Sequence, residues 1–225
     1  MTKTLAFAAF LLMNAGVAAS GAVLDPAQVD AARLVPPPPA PGSVQAKDEL
    51  AEIHAIHDRS SEREIEAARK DADDEKPDMF NAAIGFDVTT LPQTTELLNM
   101  VIEEEDTATK AAKKYFHRAR PWIVDATIAT CTPKPPDPAS NSYPSGHSSV
   151  GFAMGVMLAN LMPEKSQAIL ARASEFAENR LVCGVHFRSD IVAGQQYGTI
   201  LAVTLMRSPI FQSQMAKAAA ELHTK

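Results

Sequence analysis

The stretch from His147 to Leu161 constrains the fold more than any other part of the chain. It is long enough for about four turns of helix, and it mixes large apolar residues with Gly151, Ala153, Gly155 and Ala159. A run that is apolar on every side belongs in an interior. Its small residues let neighbouring helices approach closely, so the spacing predicts a central helix, ended by Pro163. No stretch of the chain shows a convincing run of the alternation of a half-buried strand. The fold class is therefore all-α, a single compact helical bundle.

The flanking pattern supports this. Residues 48–75 carry Leu50, Ile53, Ile56, Ile65 and Ala68 at three- and four-residue steps and are expected to form one helix. Residues 80–91, with Gly85 and Leu91-Pro92, read as loop with room for one short turn. A helix should start between Pro92 and Thr95. The acidic run Glu103-Glu104-Glu105-Asp106 reads as a solvated face or a helix junction, with a further helix from Thr107 to the region of Arg120-Pro121. Helices are also expected from about Glu164 to Val182, from Asp190 to Met206, and from Pro209 to near His223.

The N-terminus differs from the rest. Lys3 precedes an apolar stretch from Leu5 to Val17 and the small residues Val17-Ala18-Ala19, the composition of a secretory leader. The alternative, a membrane anchor, fits poorly with so short a run. Residues 1–20 are assigned as a signal peptide, 21–45 as a proline-rich segment and 46–225 as the folded domain. Export implies a periplasmic or secreted protein without stable membrane insertion. Pro36-Pro37-Pro38-Pro39 favours extended geometry, a linker or a strap lying on the domain. In an oxidising compartment, Cys131 and Cys183 read as one disulfide, with two buried thiols as the alternative. The net charge of -6 argues against a nucleic-acid-binding surface, which needs an excess of Lys and Arg.

Candidate chemistry begins where the central helix begins, in N-S-Y-P-S-G-H-S-S-V. Ser145 is a good N-cap for a helix running through His147, and the free N–H groups of a helix start attract anions. A histidine there could attack or could move a proton. Two other pieces supply cations and a second histidine: Lys113 with Arg120-Pro121, and Arg180, His186 and Asp190 within N-R-L-V-C-G-V-H-F-R-S-D. Each is weak alone, since Lys113 and Arg120 could be surface charges, His147 a core histidine and Asp190 an N-cap. His54 and His57, one turn apart beside Asp58, fall short of the three or more ligands a metal needs. They read as a charged helix face, and no metal or cofactor is expected.

Taken together and in this order, the three pieces resemble the signature of the PAP2 acid phosphatase superfamily, most closely its bacterial class A non-specific acid phosphatases. That pattern is Lys, six residues, Arg-Pro; then Pro-Ser-Gly-His; then Ser-Arg, five residues, His, three residues, Asp. The match runs through Lys113, Arg120, Pro121, Pro144, Ser145, Gly146, His147, Arg180, His186 and Asp190, with Asn179 in place of the usual Ser. The resemblance implies phosphate-monoester substrates and a homo-oligomer. His186 would be the nucleophile, Asp190 its orienting partner, and His147 the proton donor to the leaving group. Lys113, Arg120, Arg180, the N–H groups of Ser145 and Gly146 and the Ser145 hydroxyl would cradle the phosphate. Phosphotransfer to acceptor alcohols would follow from a covalent intermediate. The alternatives are a vanadium-dependent haloperoxidase-like enzyme and an inactive periplasmic binder of phosphate compounds.

Overall fold

The computed structural model describes residues 23–73, 75–134 and 141–225. The leader assigned to residues 1–20 lies outside the described residues, as do residues 135–140 of the proline-rich loop before Asn141. Among the described residues there is no strand. The helices in chain order are α1 (Ala31–Leu34), α2 (Val44–Arg59), α3 (Glu62–Ala72), α4 (Asn81–Ile84), α5 (Pro92–Phe116), α6 (Pro121–Val124), α7 (Gly146–Leu161), α8 (Ser166–Val182), α9 (Arg188–Leu205) and α10 (Pro209–Leu222).

As expected, α7 is the centre, packed against α9, α8 and α5. Its small residues are close contacts: a Cβ on Gly155 would lie 3.2 Å from Ala173 Cβ, and one on Gly151 would lie 2.9 Å from the Phe176 ring. The tightest approach comes from α9. A Cβ on Gly194 would sit 2.5 Å from the Ser145 carbonyl oxygen, and one on Gly198 only 2.0 Å from that of Ser149. Backbone of the middle of α9 therefore rests on backbone of the first turn of α7, which holds the two helices together close to His147 and His186. Phe80, Leu97, Met154, Met157, Phe176 and Phe211 fill the space around α7 and are fully buried. Each such side chain is worth roughly 1.5–3 kcal/mol of transfer free energy.

Three expectations need correction. Residues 48–75 form two helices, because Ser60 and Ser61 offer the backbone competing hydrogen bonds. Ser60 Oγ donates to the Ile56 carbonyl (2.8 Å). Ser61 caps α3 in a reciprocal box in which Glu64 accepts from the Ser61 N–H at 2.8 Å. Next, α5 runs unbroken through the acidic stretch. Glu103 and Asp106 are solvated, but Glu104 accepts the Val23 and Leu24 N–H groups (2.7 and 3.0 Å) and Glu105 is buried. Finally, residues 80–91 hold more than the one short turn allowed for them, namely the single-turn α4 and a 3-10 turn at Val88–Thr90. Gly85 closes α4 at φ 84°, a left-handed conformation that favours glycine.

The proline-rich segment is a strap. Val35 is buried, the Tyr143 hydroxyl donates to the Pro36 carbonyl, and the Tyr197 hydroxyl donates to that of Val29 (2.6 Å). Cys131 and Cys183 are joined in a disulfide. No helix among the described residues is long and apolar enough to cross a membrane.

Candidate active site

Five helix ends converge on one cavity of about 400 Å³. Lys113 comes from the last turn of α5, Arg120 from the residue before α6, His147 from the first turn of α7, Arg180 from the last turn of α8 and His186 from just before α9. All five line the cavity, together with Glu75 from the loop after α3 and with Thr132 and Pro133 at its rim. A separate cavity of about 270 Å³ beneath the strap, lined by residues such as Leu24, Ala108 and Ala112, contains no Lys, Arg or His and offers none of this chemistry.

Gly146 is the first residue of α7, so its N–H has no intrahelical acceptor. A Cβ there would lie 3.2 Å from Lys113 Nζ, so the glycine makes room for the ammonium beside the helix start. Arg180 is buried, and its Nε and Nη1 have no hydrogen-bond partner among the described residues. A buried guanidinium with unpaired donors beside a polar cavity calls for an anion. His186 Nε2 lies 2.7 Å from Arg120 Nη1, and His186 Nδ1 lies 3.3 Å from Asp190 Oδ2.

One expected contact is absent. The Ser145 N–H donates to the Asp190 carbonyl (3.0 Å), and the Ser145 Oγ caps α7 by accepting from the Ser148 N–H (3.3 Å). Ser145 is fully buried and ties α7 to α9 instead of contributing its N–H to the cradle. The Ser145 Oγ acts as acceptor in its cap, toward the Ser148 N–H and hydroxyl, so only its N–H is lost to the cradle.

Residues 94–213 match the PAP2 superfamily. The chain is 35% identical over 198 residues to a non-specific acid phosphatase of Providencia stuartii, covering 84% of this chain and 79% of that one. The chain belongs to the PAP2 superfamily. It is also 33% identical over 152 residues to a non-specific acid phosphatase of Salmonella typhimurium, covering 65% of this chain and 60% of that protein's length. In fold it is similar to a bacterial vanadium-dependent iodoperoxidase (TM-score 0.59, 22% identity, 79% of this chain and 53% of that one).

The hydrogen bonds of this PAP2 site fix the state of His186. A guanidinium can only donate, so Nε2 facing Arg120 is an acceptor and the ring hydrogen sits on Nδ1, toward Asp190. Burial, followed by the charges of Arg120, Arg180 and Lys113, holds His186 well below the usual imidazole range, so the ring is neutral with its Nε2 lone pair toward the cavity. Burial pushes Asp190 up to about 6, against Arg118, the Ser142 hydroxyl and the Phe187 N–H. Arg118 binds Asp190 Oδ1 at 2.6 Å and Glu49 Oε2 at 2.7 Å. Burial, then the neighbouring Arg120, lowers Arg180 to about 10, still charged at any working pH.

Sequence reasoning missed Arg118, Glu49, Ser142 and Glu75. Arg118 had a faint signal, since a buried carboxylate needs a cation and R-A-R places one two residues before Arg120. Glu49 and Glu75 sit in charged stretches that look solvated. Asn179 turns away from the cavity: its Nδ2 donates to Asp71 Oδ2 (2.7 Å), which also pairs with Arg172. His54 pairs with Asp125 (3.0 Å), and no group of three or more potential metal ligands occurs among the described residues.

Proposed function

We propose that this protein hydrolyses phosphate monoesters through a phosphohistidine on His186, using protein cations in place of a metal. The reading rests above all on one observation: the neutral His186 Nε2 shares its cavity with the buried, unpaired Nε and Nη1 of Arg180. In this scheme the phosphate oxygens take hydrogen bonds from Arg180, Arg120, Lys113 and the Gly146 N–H, and these donors neutralise charge in the transition state. His186 Nε2 attacks phosphorus while His147 gives a proton to the departing alcohol. Asp190 and Arg118 hold the ring, and Asp190 balances the cationic phosphohistidine. Water, losing its proton to His147, then releases phosphate; an acceptor alcohol could take its place.

The apolar leader-like N-terminus and the Cys131–Cys183 disulfide support action in an oxidising compartment, periplasmic or secreted. The decisive experiment is steady-state hydrolysis of a panel of phosphomonoesters with EDTA or vanadate present, with iodide oxidation by vanadate and peroxide assayed in parallel. Phosphatase activity that survives EDTA and is inhibited by vanadate is expected. Halide oxidation without phosphatase turnover would overturn the reading.

A further inference from the structure

His147 has a partner at each ring nitrogen. Nε2 lies 3.1 Å from the Ala72 carbonyl oxygen, and Nδ1 lies 2.6 Å from Glu75 Oε1. A carbonyl oxygen only accepts, so Nε2 bears a hydrogen; the short Nδ1 contact holds a second proton between imidazole and carboxylate. The two partners differ in how they are attached. The Ala72 carbonyl belongs to the backbone at the end of α3, whereas the Glu75 carboxylate rides on a side chain that is 47% exposed at the cavity wall. Only Glu75 can withdraw without unwinding a helix end, so Nδ1 is the nitrogen an incoming ester can reach.

We infer that Glu75 is a positioning residue for leaving-group protonation, keeping His147 Nδ1 protonated in the resting site and yielding that position to the ester's leaving oxygen. This deepens the phosphatase reading and rests on it. In the first half-reaction the Nδ1 proton moves to the leaving oxygen as the P–O bond breaks and the bond from His186 Nε2 to phosphorus forms. His147 is left neutral, its remaining hydrogen still on Nε2 against Ala72. In the second half-reaction water gives its proton to Nδ1 as it displaces His186, which restores the starting state.

The charged and titratable groups that line the cavity with His147 are Asp73 and Glu75 after α3, Lys113 from α5, Arg120 before α6, Arg180 from α8 and His186 before α9; the buried Glu105 of α5 acts on Glu75 and Lys113. Burial and then Arg180 press His147 below its ordinary value, and Glu75 and the Ala72 carbonyl oppose them. Although burial works against ionisation of Glu75, its hydrogen bond to His147, with the charges of His147, Lys113 and Arg180, holds its carboxyl below the usual range. Glu75 is thus the carboxylate in direct contact with the acid, and its removal leaves the depressing groups in command.

The test is an NMR titration of the His147 ring in isotopically labelled full-length protein and its Glu75→Gln and Glu75→Ala variants, with pH profiles of kcat/KM for an alkyl phosphate and for p-nitrophenyl phosphate. The ring midpoint should fall by about one pH unit or more in both variants, the range an adjacent opposite charge produces. The alkaline limb for the alkyl ester should move down equally. p-Nitrophenyl phosphate, whose leaving group needs less protonation, should lose less rate, and Glu75→Asp should restore the limb. An unmoved midpoint, or a uniform loss of rate with the limb in place, would overturn the proposal. If the wild-type protein hydrolysed neither ester, the phosphatase reading would fail, and the ring titration would still decide whether Glu75 holds the His147 proton.

Discussion

At the scale of single residues the site depends on charges that cannot be removed one at a time. Arg118 is almost buried and bridges two buried carboxylates, Asp190 and Glu49. Replacing Arg118 with Met would leave both without a cation, at a cost of about 3–5 kcal/mol, and would loosen the partner that orients His186. Chemical denaturation with a parallel kcat measurement should show both losses. His186→Ala should abolish the acid-labile phosphoenzyme seen on rapid quench, and retained phosphoenzyme would remove His186 from its role. Asn179→Ser should leave KM little changed, because Asn179 bonds Asp71 and not the cavity; a large KM change would mean that it reaches the substrate. That the three motifs meet in one cavity was readable because their cations and imidazoles stand at the spacing of a known family pattern. Glu75 and Arg118 were not, since a carboxylate or guanidinium in a charged stretch looks the same whether it is solvated or folded inward.

At the scale of elements the site is a product of helix packing. The first turn of α7 meets the middle of α9 backbone to backbone, and Gly198 is where that contact is closest. Gly198→Ala would force the helices apart, and overpacking of this kind costs at least about 1–3 kcal/mol. Since the same shift separates Gly146 from His186, activity should fall even where the variant remains folded. A fully active variant of unchanged Tm would show that the contact is dispensable. The central helix was legible because its pattern of small residues has few other uses. The break at Ser60-Ser61 was not, because apolar spacing continues across it and only the side-chain caps interrupt the backbone.

Glu105 shows the same limit. It lies in an acidic run, yet α5 turns it inward against Thr109 and Ser149, and burial outweighs those two hydrogen bonds to push it up to about 7. A carboxyl whose folded value is raised binds more protons folded than unfolded. Its contribution is therefore most favourable below its ordinary value of 4.5 and is lost as pH rises from there to about 7. His147 and His186, both lowered, contribute in the opposite sense, so the test is a difference. Glu105→Gln should gain stability relative to wild type across those limits, on the order of 3 kcal/mol. A pH-independent difference between the two denaturation curves would contradict this origin.

At the scale of the whole molecule, two long-range ties surround the site. The strap from residue 23 to 43 holds Tyr143 and Tyr197, and so braces the loop that enters α7 and the middle of α9. Its extended character was legible from its prolines; where it docks was not, since hydrogen bonds to backbone carbonyls leave no pattern in the strap itself. The second tie is the disulfide, which joins the cavity rim at Cys131 to the end of α8 at Cys183 across a sequence separation of 52. Constraining a loop of that length is worth about 4 kcal/mol in the chain-entropy model. The two ends differ in what else holds them. Cys183 is fixed by helix-end hydrogen bonds, its N–H to the Asn179 carbonyl (3.0 Å) and the Val185 N–H to that of Arg180 (3.1 Å). On the rim side, the Cys131 N–H donates to the Cys183 carbonyl (3.2 Å) and Arg69 Nε donates to the Cys131 carbonyl (3.0 Å), while Thr132 and Pro133 line the cavity beyond them. Opening the bridge should therefore loosen the rim, which two hydrogen bonds outside any helix then hold, and leave Arg180 and His186 in place. A Cys131→Ala/Cys183→Ala variant is expected to lose about 2–4 kcal/mol, with a fall in Tm of about 2–4 °C per kcal/mol. Below that Tm its kcat should be nearly unchanged and its KM raised, because in the proposed mechanism the rim meets the substrate while the reacting groups stand on α7 and beside α9. A fall in kcat at constant KM would instead place the bridge in the support of His186.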